Sequence, residues 1–436
     1  MTGRWMSVVG AVVCVAIAAP AARSQPVQRL TVQQAVDLAL RQNPQVQVAA
    51  FDVAIARAQL AQARAGTAVQ VSVQGSYTRT QEQEPIGFGS LTLPPPSPNV
   101  YDARLVAQYP LATGGRVEAQ IAVAEANLRG AEAALQRVRQ QVVFSVRQAY
   151  YQVLLAQAGE AAAERGLAQA TENLRVARAR VAAGVSPRFD EVQAEVAVAS
   201  ARQALVRARN GVAQARQALN AALNQPLDTP LELVDGFATE PVQTPLAQLV
   251  ARALLVRPEL AELAARRDAA RAAVEVAASG GRISLVLSGA YVYSNTGALG
   301  PGTDFGTTWS VTLAATLAVA DGGLTQQRVV EAQQRLAQLE AALGQQRQGI
   351  EVEVRQAYLS LESAREELAG ADALVAQAVE ALRIAQVRFA AGVGTALEVI
   401  SAQASLSQAE AARAQAQFAY SVARAQLERA VGEAVR

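Results

Sequence analysis

Two long runs without proline constrain the fold of this chain more than any other feature of its sequence. Residues 116–182 and residues 324–390 each form a run of 67 residues. As helices they would each extend roughly 100 Å, at about 1.5 Å of rise per residue, whereas the mean helix of a globular protein has about 11–12 residues. Gly184 and Gly392 follow the two runs, and a glycine in that place ends a helix in the left-handed conformation. The sequence therefore predicts two long helical hairpins.

The chain after residue 24 is a duplicated unit. The segment Val146–Tyr150 recurs unchanged as Val354–Tyr358, at an offset of 208 residues, and the same offset pairs Gly114 with Gly322. Nearer the start of each copy the offset is 214 residues, as between Pro44 and Pro258. We predict one unit over residues 25–436, with repeat 1 at about 30–225 and repeat 2 at about 244–432.

Four stretches change from helical periodicity to a strict alternation of apolar and small polar residues. This pattern predicts strands at about 69–80, 100–111, 283–294 and 307–319. Strands of this length, with aromatic residues such as Tyr77, Tyr101 and Trp309 near their ends, fit a tilted membrane strand. A soluble antiparallel sheet with one wet face explains the alternation equally well. Four strands leave open edges and are too few to close a barrel, whereas three chains would give twelve.

The predicted long helices have a seam of widely spaced large residues. Ile121, Leu128, Leu135 and Val142 are seven positions apart, and alanine dominates the positions between them. A seven-residue repeat implies left-handed supercoiling, and small residues let helix backbones approach closely. We interpret these helices as packed side by side around a hollow centre.

Residues 1–24 are predicted to be a secretory signal peptide. Arg4 precedes the apolar stretch Val8–Ala19, which is too short to span a bilayer. The only cysteine, Cys14, lies inside that stretch, and the residues before it do not form a lipoprotein cleavage site. We therefore expect a protein of the cell envelope that is not lipidated. Beyond residue 24 no run of about 18 apolar residues remains, so a helical membrane span is not expected.

The composition argues against catalysis and against nucleic-acid binding. The chain has no lysine and no histidine, and its net charge is +2. An imidazole base, a thiolate nucleophile in the mature chain and a lysine-containing phosphate loop are therefore all excluded. We predict that the protein is not an enzyme and binds no cofactor, no metal and no nucleic acid.

The order of these features resembles the TolC-type outer-membrane efflux proteins (the outer-membrane factor family). The resemblance covers the chain from about Leu30 to Gly432 and rests on the duplicated order helix, strand, strand, long helix, glycine tip, helix. It implies a mixed but mostly α fold, in which a homotrimer forms a twelve-stranded β-barrel in the outer membrane, four strands per chain. A long α-helical barrel would continue from it into the periplasm.

The resemblance also implies a function. Members of this family serve as the passive exit duct of a tripartite efflux or type I secretion system. The partners would be a periplasmic adaptor (membrane fusion) protein, an inner-membrane pump and the lipid of the outer membrane of a Gram-negative bacterium. The alternative is a soluble periplasmic coiled-coil scaffold or adaptor without a pore. Such a scaffold would not need strand pairs with aromatic ends.

In this family the hairpin tips receive the tips of the adaptor. The first tip spans 183–187 and the second 391–395. The matching docking residues are Gly184, Val185, Ser186, Gly392, Val393 and Gly394. Glycines at these positions also serve as simple helix stops, without any partner.

An acidic residue lies six positions past each tip glycine, Asp190 in the first hairpin and Glu398 in the second. In a trimer each would form a ring of three carboxylates at the periplasmic mouth, and such rings attract cations and set pore selectivity. An acid in the first turn of a helix is also common simply because it complements the helix dipole.

Overall fold

The computed structural model describes residues 28–433 except 83, 85, 89–90, 94–96, 239, 298–299 and 392. The predicted signal peptide and the tip residue Gly392 therefore lie outside the described residues. The helices are α1 (Val32–Gln42), α2 (Pro44–Ala65), α3 (Arg116–Ala182), α4 (Arg188–Ala222), α5 (Leu246–Val256), α6 (Pro258–Ala278), α7 (Leu324–Ala390) and α8 (Ala396–Val431). The strands are β1 (Gln28–Leu30), β2 (Gln70–Arg79), β3 (Ile86–Phe88), β4 (Leu91–Leu93), β5 (Asn99–Ala112), β6 (Leu231–Leu233), β7 (Ser284–Gly297) and β8 (Gly300–Thr316).

A short helix and a second helix that starts with proline open each repeat. Thr31 and Gln34 form a capping box at the start of α1, in which each side chain accepts a hydrogen bond from the backbone N–H of the other. The side chain of Asn43 accepts from the N–H of Gln45, and Pro44 occupies the first position of α2, where its missing N–H costs nothing. The chain therefore changes direction between the two helices, and α2 lies along α3.

The long helices pack in pairs, α3 against α4 and α7 against α8. Large buried residues recur along the first pair, including Val142, Leu205 and Leu219. Ion pairs such as Arg209–Glu164, at 3.0 Å, bridge the same two helices at the surface. Exposed pairs of this kind contribute at most about 1 kcal/mol each, so the apolar seam holds the hairpin together. Among the described residues, no helix combines the length and the apolar character needed to cross a membrane.

The four long strands form one antiparallel sheet in the order β2-β5-β7-β8. The register places Val73, Leu105, Tyr291 and Trp309 in one row across the sheet. Because side chains alternate between faces, all four lie on the same apolar face, and the opposite face carries mainly serine, threonine and glutamine. β2 and β8 are the edges of this sheet.

The last strand differs from the stretch at 307–319 that the alternation predicts. β8 begins at Gly300 and ends at Thr316. The earlier start arises because β7 and β8 remain paired beyond a register shift after Ser294, as far as Gly297 opposite Gly300. A glycine-rich segment does not show the alternation of apolar residues that marks a strand in the sequence.

A belt of short elements packs against the middle of the long helices. β1 and β6 form a parallel two-stranded ladder that packs beside α3. Tyr150 of α3 is fully buried there, and its hydroxyl accepts a hydrogen bond from the N–H of Asp235 at 3.0 Å and lies 3.1 Å from the carbonyl oxygen of Leu30. Burial raises the pKa of the Tyr150 hydroxyl, so it stays neutral and can donate. One side chain thus ties β1 and the segment that follows β6 to α3.

The second repeat uses a buried arginine at its own belt. Arg257 lies between α5 and α6 and contacts the carboxylates of Glu259 and Glu353 and the carbonyl oxygen of Ala430. Burial favours the neutral form of Glu259, but the hydrogen bonds from Arg257 and the backbone outweigh it, so the pKa of this carboxyl lies below its ordinary value. Glu353 also accepts a hydrogen bond from Nη2 of Arg429 of α8, at 3.1 Å. The cluster therefore joins α6, α7 and α8.

The duplicated Tyr150 and Tyr358 provide a matched test of the belt. We expect Tyr150→Phe to lower the free energy of unfolding by about 1–3 kcal/mol, because the buried N–H of Asp235 and carbonyl of Leu30 lose their partner. Tyr358 is half-buried, and the described residues show no hydrogen bond from its hydroxyl, so Tyr358→Phe should change stability by less than about 0.5 kcal/mol. Denaturant unfolding in detergent measures both variants, and equal losses would contradict this account.

Candidate functional site: the hairpin tips

The first hairpin tip is a helix end in which backbone hydrogen bonds close the last turn. Gly184 has φ of +72°. Its N–H donates to the carbonyl of Val181 at 3.0 Å, and the N–H of Val185 donates to the carbonyl of Arg180 at 3.0 Å. These two bonds satisfy carbonyl groups that the end of α3 would otherwise leave unpaired. Only glycine adopts this conformation without strain, so the backbone alone accounts for Gly184.

The residues after Gly184 present apolar side chains to solvent. Val185 is 72% exposed, and Phe189, in the first turn of α4, is exposed to a similar degree. Ser186 is half-buried, and Pro187 is extended and immediately precedes α4. Neighbouring exposed apolar side chains mark a contact surface more often than isolated ones do. The sequence interpretation missed Phe189, although its place one turn after Val185 was a usable signal.

The described residues of the second tip share one backbone hydrogen bond with the first, since the bond from Val393 to Arg388 corresponds to that from Val185 to Arg180. The N–H groups of Val393 and Gly394 both donate to the carbonyl of Arg388 at 3.0 Å. Val393 and Leu397 are strongly exposed, as are their counterparts in the first tip, and Gly394 is half-buried. The two tips therefore share an apolar surface, although Ser186 and Gly394 differ.

Glu398 takes part in the local structure of the second tip. Its N–H donates to Oγ1 of Thr395 at 3.3 Å, which caps the start of α8. Its carboxylate lies 3.8 Å from Nε of Arg388, on the other helix of the hairpin. The side chain keeps 44% of its surface exposed, so the carboxylate both bridges the tip and faces solvent.

Asp190 is placed differently from Glu398. It is half-buried in the first turn of α4, and its N–H donates to the carbonyl of Pro187 at 3.1 Å. The bridge across this hairpin is made instead by Arg178, which donates to Glu191 at 3.2 Å and to Glu195 at 2.6 Å. The sequence interpretation did not identify Arg178 or Arg388, because such pairs form only once two helices lie side by side.

The chemistry available at the tips is apolar contact and charge of both signs, since Arg178 and Arg388 lie beside the acidic side chains. No group of three or more acidic side chains in the described part of the chain is arranged to hold a metal ion. The tips therefore combine exposed apolar side chains with partly exposed charged ones.

A duplicated chain whose sheet continues through a belt into two long hairpins has the architecture of an outer-membrane channel. The CmeC outer membrane channel of Campylobacter jejuni has the same fold, with a TM-score of 0.79 and 18% identity over 93% of this chain and 86% of that one. The open-state MtrE outer membrane channel of Neisseria gonorrhoeae is similar with a TM-score of 0.77 and 22% identity, over 92% of this chain and 89% of that one. The outer membrane protein VceC of Vibrio cholerae is similar with a TM-score of 0.75 and 20% identity, over 93% of this chain and 97% of that one.

The family model for outer membrane efflux proteins matches residues 35–225 and 249–433. The chain therefore belongs to the outer membrane efflux protein family. It is an efflux channel of the Gram-negative outer membrane, and the predicted fold class is confirmed. No curated protein sequence matches it significantly.

The positive φ of Gly184 can be tested against a second glycine in the same hairpin. We expect Gly184→Ala to destabilise the tip by about 1–2 kcal/mol, because a left-handed residue with a Cβ is strained. Gly211 lies inside α4 with open space around it, so Gly211→Ala should instead stabilise the helix by about 0.5–1 kcal/mol. Hydrogen exchange of the amides at 178–190 and 205–215 measures both effects, and similar exchange in the two variants would count against the tip geometry.

Proposed function

We propose that three copies of this chain assemble into a passive duct with a twelve-stranded barrel and a helical barrel below it. The duct receives substrates from a periplasmic adaptor and an inner-membrane pump, and it releases them outside the cell. The observation that carries this proposal is a set of surfaces that are left uncovered in one chain, although their counterparts in the other repeat are covered.

The sheet is the first such surface. Its edge strands β2 and β8 each expose one row of backbone N–H and carbonyl groups, and an open edge of this length invites pairing with another strand. If β8 of one copy pairs with β2 of the next, the contact is head-to-tail and closes after a whole number of copies. Three copies give twelve strands, enough for a barrel with an open lumen. The apolar face would then face lipid and the polar face the lumen.

The helices show the same incompleteness. In one chain α6 packs closely on α3, and a Cβ at Gly130 would lie 3.6 Å from the Cβ of Ala265. The repeat offsets of 208 and 214 residues relate Gly130 to Gln338 on α7, and Ala265 to Phe51 on α2. Gln338 is exposed, and Phe51 is 66% exposed, whereas Ala265 is only 4% exposed. We infer that α2 of one copy covers α7 of the next, as α6 covers α3.

The contact between α3 and α6 within the chain and the proposed contact between α7 and α2 of two copies differ in their chemistry. Within the chain, Arg137 and Glu262 form an ion pair at 3.2 Å between α3 and α6. The related residues are Gln345 and Val48, and Val48 is exposed next to Phe51 and Ile55. The α2 side of the contact between copies is therefore apolar where the contact within the chain is ionic. Apolar contacts of this kind are typical of permanent interfaces.

We expect Phe51→Asp to break the trimer. The substitution removes a large apolar side chain from the proposed interface and buries an unpaired carboxylate, which costs about 3 kcal/mol or more per contact. Native mass spectrometry in detergent would show a trimer for the unchanged chain and monomers for the variant.

Asp52→Arg is the matched control for Phe51→Asp. Asp52→Arg changes the charge by two units, more than Phe51→Asp does, at the adjacent position. Arg266, the residue of the second repeat related to Asp52, is exposed in the chain, so position 52 should lie outside the interface and the trimer should persist. A monomeric unchanged chain would contradict the assembly itself. A trimeric Phe51→Asp variant would contradict only the role of α2.

The tips support a docking role for the adaptor. In a trimer six tips would surround the periplasmic mouth, each with an exposed valine at its apex, Val185 or Val393. An adaptor that ends in an apolar helical hairpin would match these surfaces, because both partners would bury small apolar residues. The difference between Ser186 and Gly394 would make the two kinds of docking groove unequal.

Glu398 and Asp190 are proposed as the charges at the mouth. The partly exposed carboxylate of Glu398, repeated three times, would attract cations to the opening. We expect Glu398→Gln to lower the cation conductance of the channel in a planar bilayer, by roughly a factor of two or more at low salt. Glu380→Gln, on α7 ten residues before the end of the helix, removes an equal charge and should lower the conductance by less than Glu398→Gln does. Equal conductance in all three proteins would contradict the gate.

A further inference from the structure

The polar face of the sheet carries few charges. This face comprises alternate residues of β2, β5, β7 and β8, which are almost all serine, threonine, glutamine, alanine or valine. Among the described side chains on this face, the charged ones are Arg104 and Asp102 of β5 and Asp304 of β8. Arg104 is therefore the one cation among them. Arg104 belongs neither to the tips nor to the interfaces proposed above between copies.

The geometry around Arg104 exposes the cation more than its anionic neighbour. Arg104 and Asp102 are two residues apart on the same strand and face, with Nη2 of Arg104 at 3.6 Å from Oδ1 of Asp102. The side chain of Arg104 is 48% exposed, whereas that of Asp102 is 22% exposed. In the register, Arg104 lies opposite Gln74 on one side and Val292 on the other. The surroundings of the guanidinium are therefore uncharged apart from Asp102.

The position along the strand also matters. Arg104 is five residues from Asn99, the end of β5 remote from the helices, which corresponds to roughly 17 Å. Asp102 and Asp304 lie nearer that remote end, because Asp102 shares a row with Ser294 and Gly306. A solute that leaves the helical part of the molecule meets Arg104 before either acid.

We propose that Arg104 is a charge-selecting residue of the strand part of the channel, where it favours anionic solutes. This inference rests on the proposed trimer, in which three guanidinium groups stand at one level of the lumen. Asp102 orients each guanidinium and reduces its effect on passing ions. Charge selection in this channel is then set at two levels, by carboxylates at the periplasmic mouth and by arginine inside the barrel.

The first experiment measures ion selectivity from the reversal potential in a planar bilayer under a salt gradient. At about 0.01 M salt the Debye length is about 30 Å, so three charges influence most of a lumen. We expect Arg104→Glu to raise the cation-to-anion permeability ratio by roughly twofold or more, and Asp102→Asn to lower it. Arg79→Glu, on the apolar face at the end of β2, makes the same change of charge and is the matched control, and it should change the ratio by less than Arg104→Glu does. The series is repeated with Asp190→Asn and Glu398→Gln present, so that the carboxylates at the periplasmic mouth do not hide the effect of Arg104 on ion selectivity.

The second experiment keeps the protein identical and changes only the charge. The chain has one cysteine, Cys14, inside the predicted signal peptide, so Arg104→Cys would introduce a single thiol into the mature protein. A sulfonate-bearing thiol reagent should then raise the permeability ratio, and an ammonium-bearing reagent of the same size should lower it. Leu105→Cys, on the apolar face, should react slowly with both.

The outcomes separate the two proposals. An unchanged chain that does not conduct would contradict the trimeric duct. A conducting channel whose reversal potential is the same for Arg104→Glu, for both adducts and for the unchanged chain would overturn the role of Arg104 alone.

Discussion

The unpaired backbone of the edge strands β2 and β8 is the constraint on which the rest of the structure depends. A single chain supplies four strands, and no arrangement of four strands satisfies both edges. The helices inherit this incompleteness, because each strand pair leads directly into a long helix through a glycine pair, Gly114–Gly115 or Gly322–Gly323, with positive φ. These turns fix the direction of α3 and α7 relative to the sheet. In the proposed trimer, closing the sheet would therefore also close the ring of helices.

The two repeats would supply the surfaces for this closure in the proposed trimer. Related positions in the two repeats carry different side chains, so related contacts differ in their chemistry. At the belt, Asn43 donates to the carbonyl of Ala222 at 3.4 Å, and at the related position Arg257 donates to that of Ala430 at 3.2 Å. The arginine reaches further and adds Glu353, so the second repeat joins three helices through a buried charge at this position, which Asn43 cannot do. An isolated buried charge would be costly, but this one is paired on several sides. The two repeats are thus alike in backbone and unlike in side-chain contacts.

The sequence predicts the backbone better than the contacts. The bounds of α3 and α7 follow from the absence of proline and from the glycine after each run, which are local signals. The four strands follow from alternation, except where glycine removes it near Gly300. The role of Arg257 has no local signal, because Glu353 and Ala430 lie 96 and 173 residues further along the chain. Among the site residues, Val185 and Val393 could be placed from the tips alone. The pairing of Glu398 with Arg388 could not, since it depends on how two helices align.

The distribution of polar contacts along the hairpins fits a molecule that is rigid at the belt and adaptable at the tips. Near the belt, Tyr150 and Arg257 join elements distant in sequence through buried hydrogen bonds, and losing either disturbs several elements at once. Towards the tips, pairs within one helix, such as Arg383–Glu380, and pairs across the hairpin, such as Arg388–Glu398, keep about half of their side-chain surface exposed. Exposed pairs of either kind contribute at most about 1 kcal/mol. Polar contacts therefore hold the ends of the hairpins less strongly than they hold the belt, which fits the role proposed above for the tips in binding a partner.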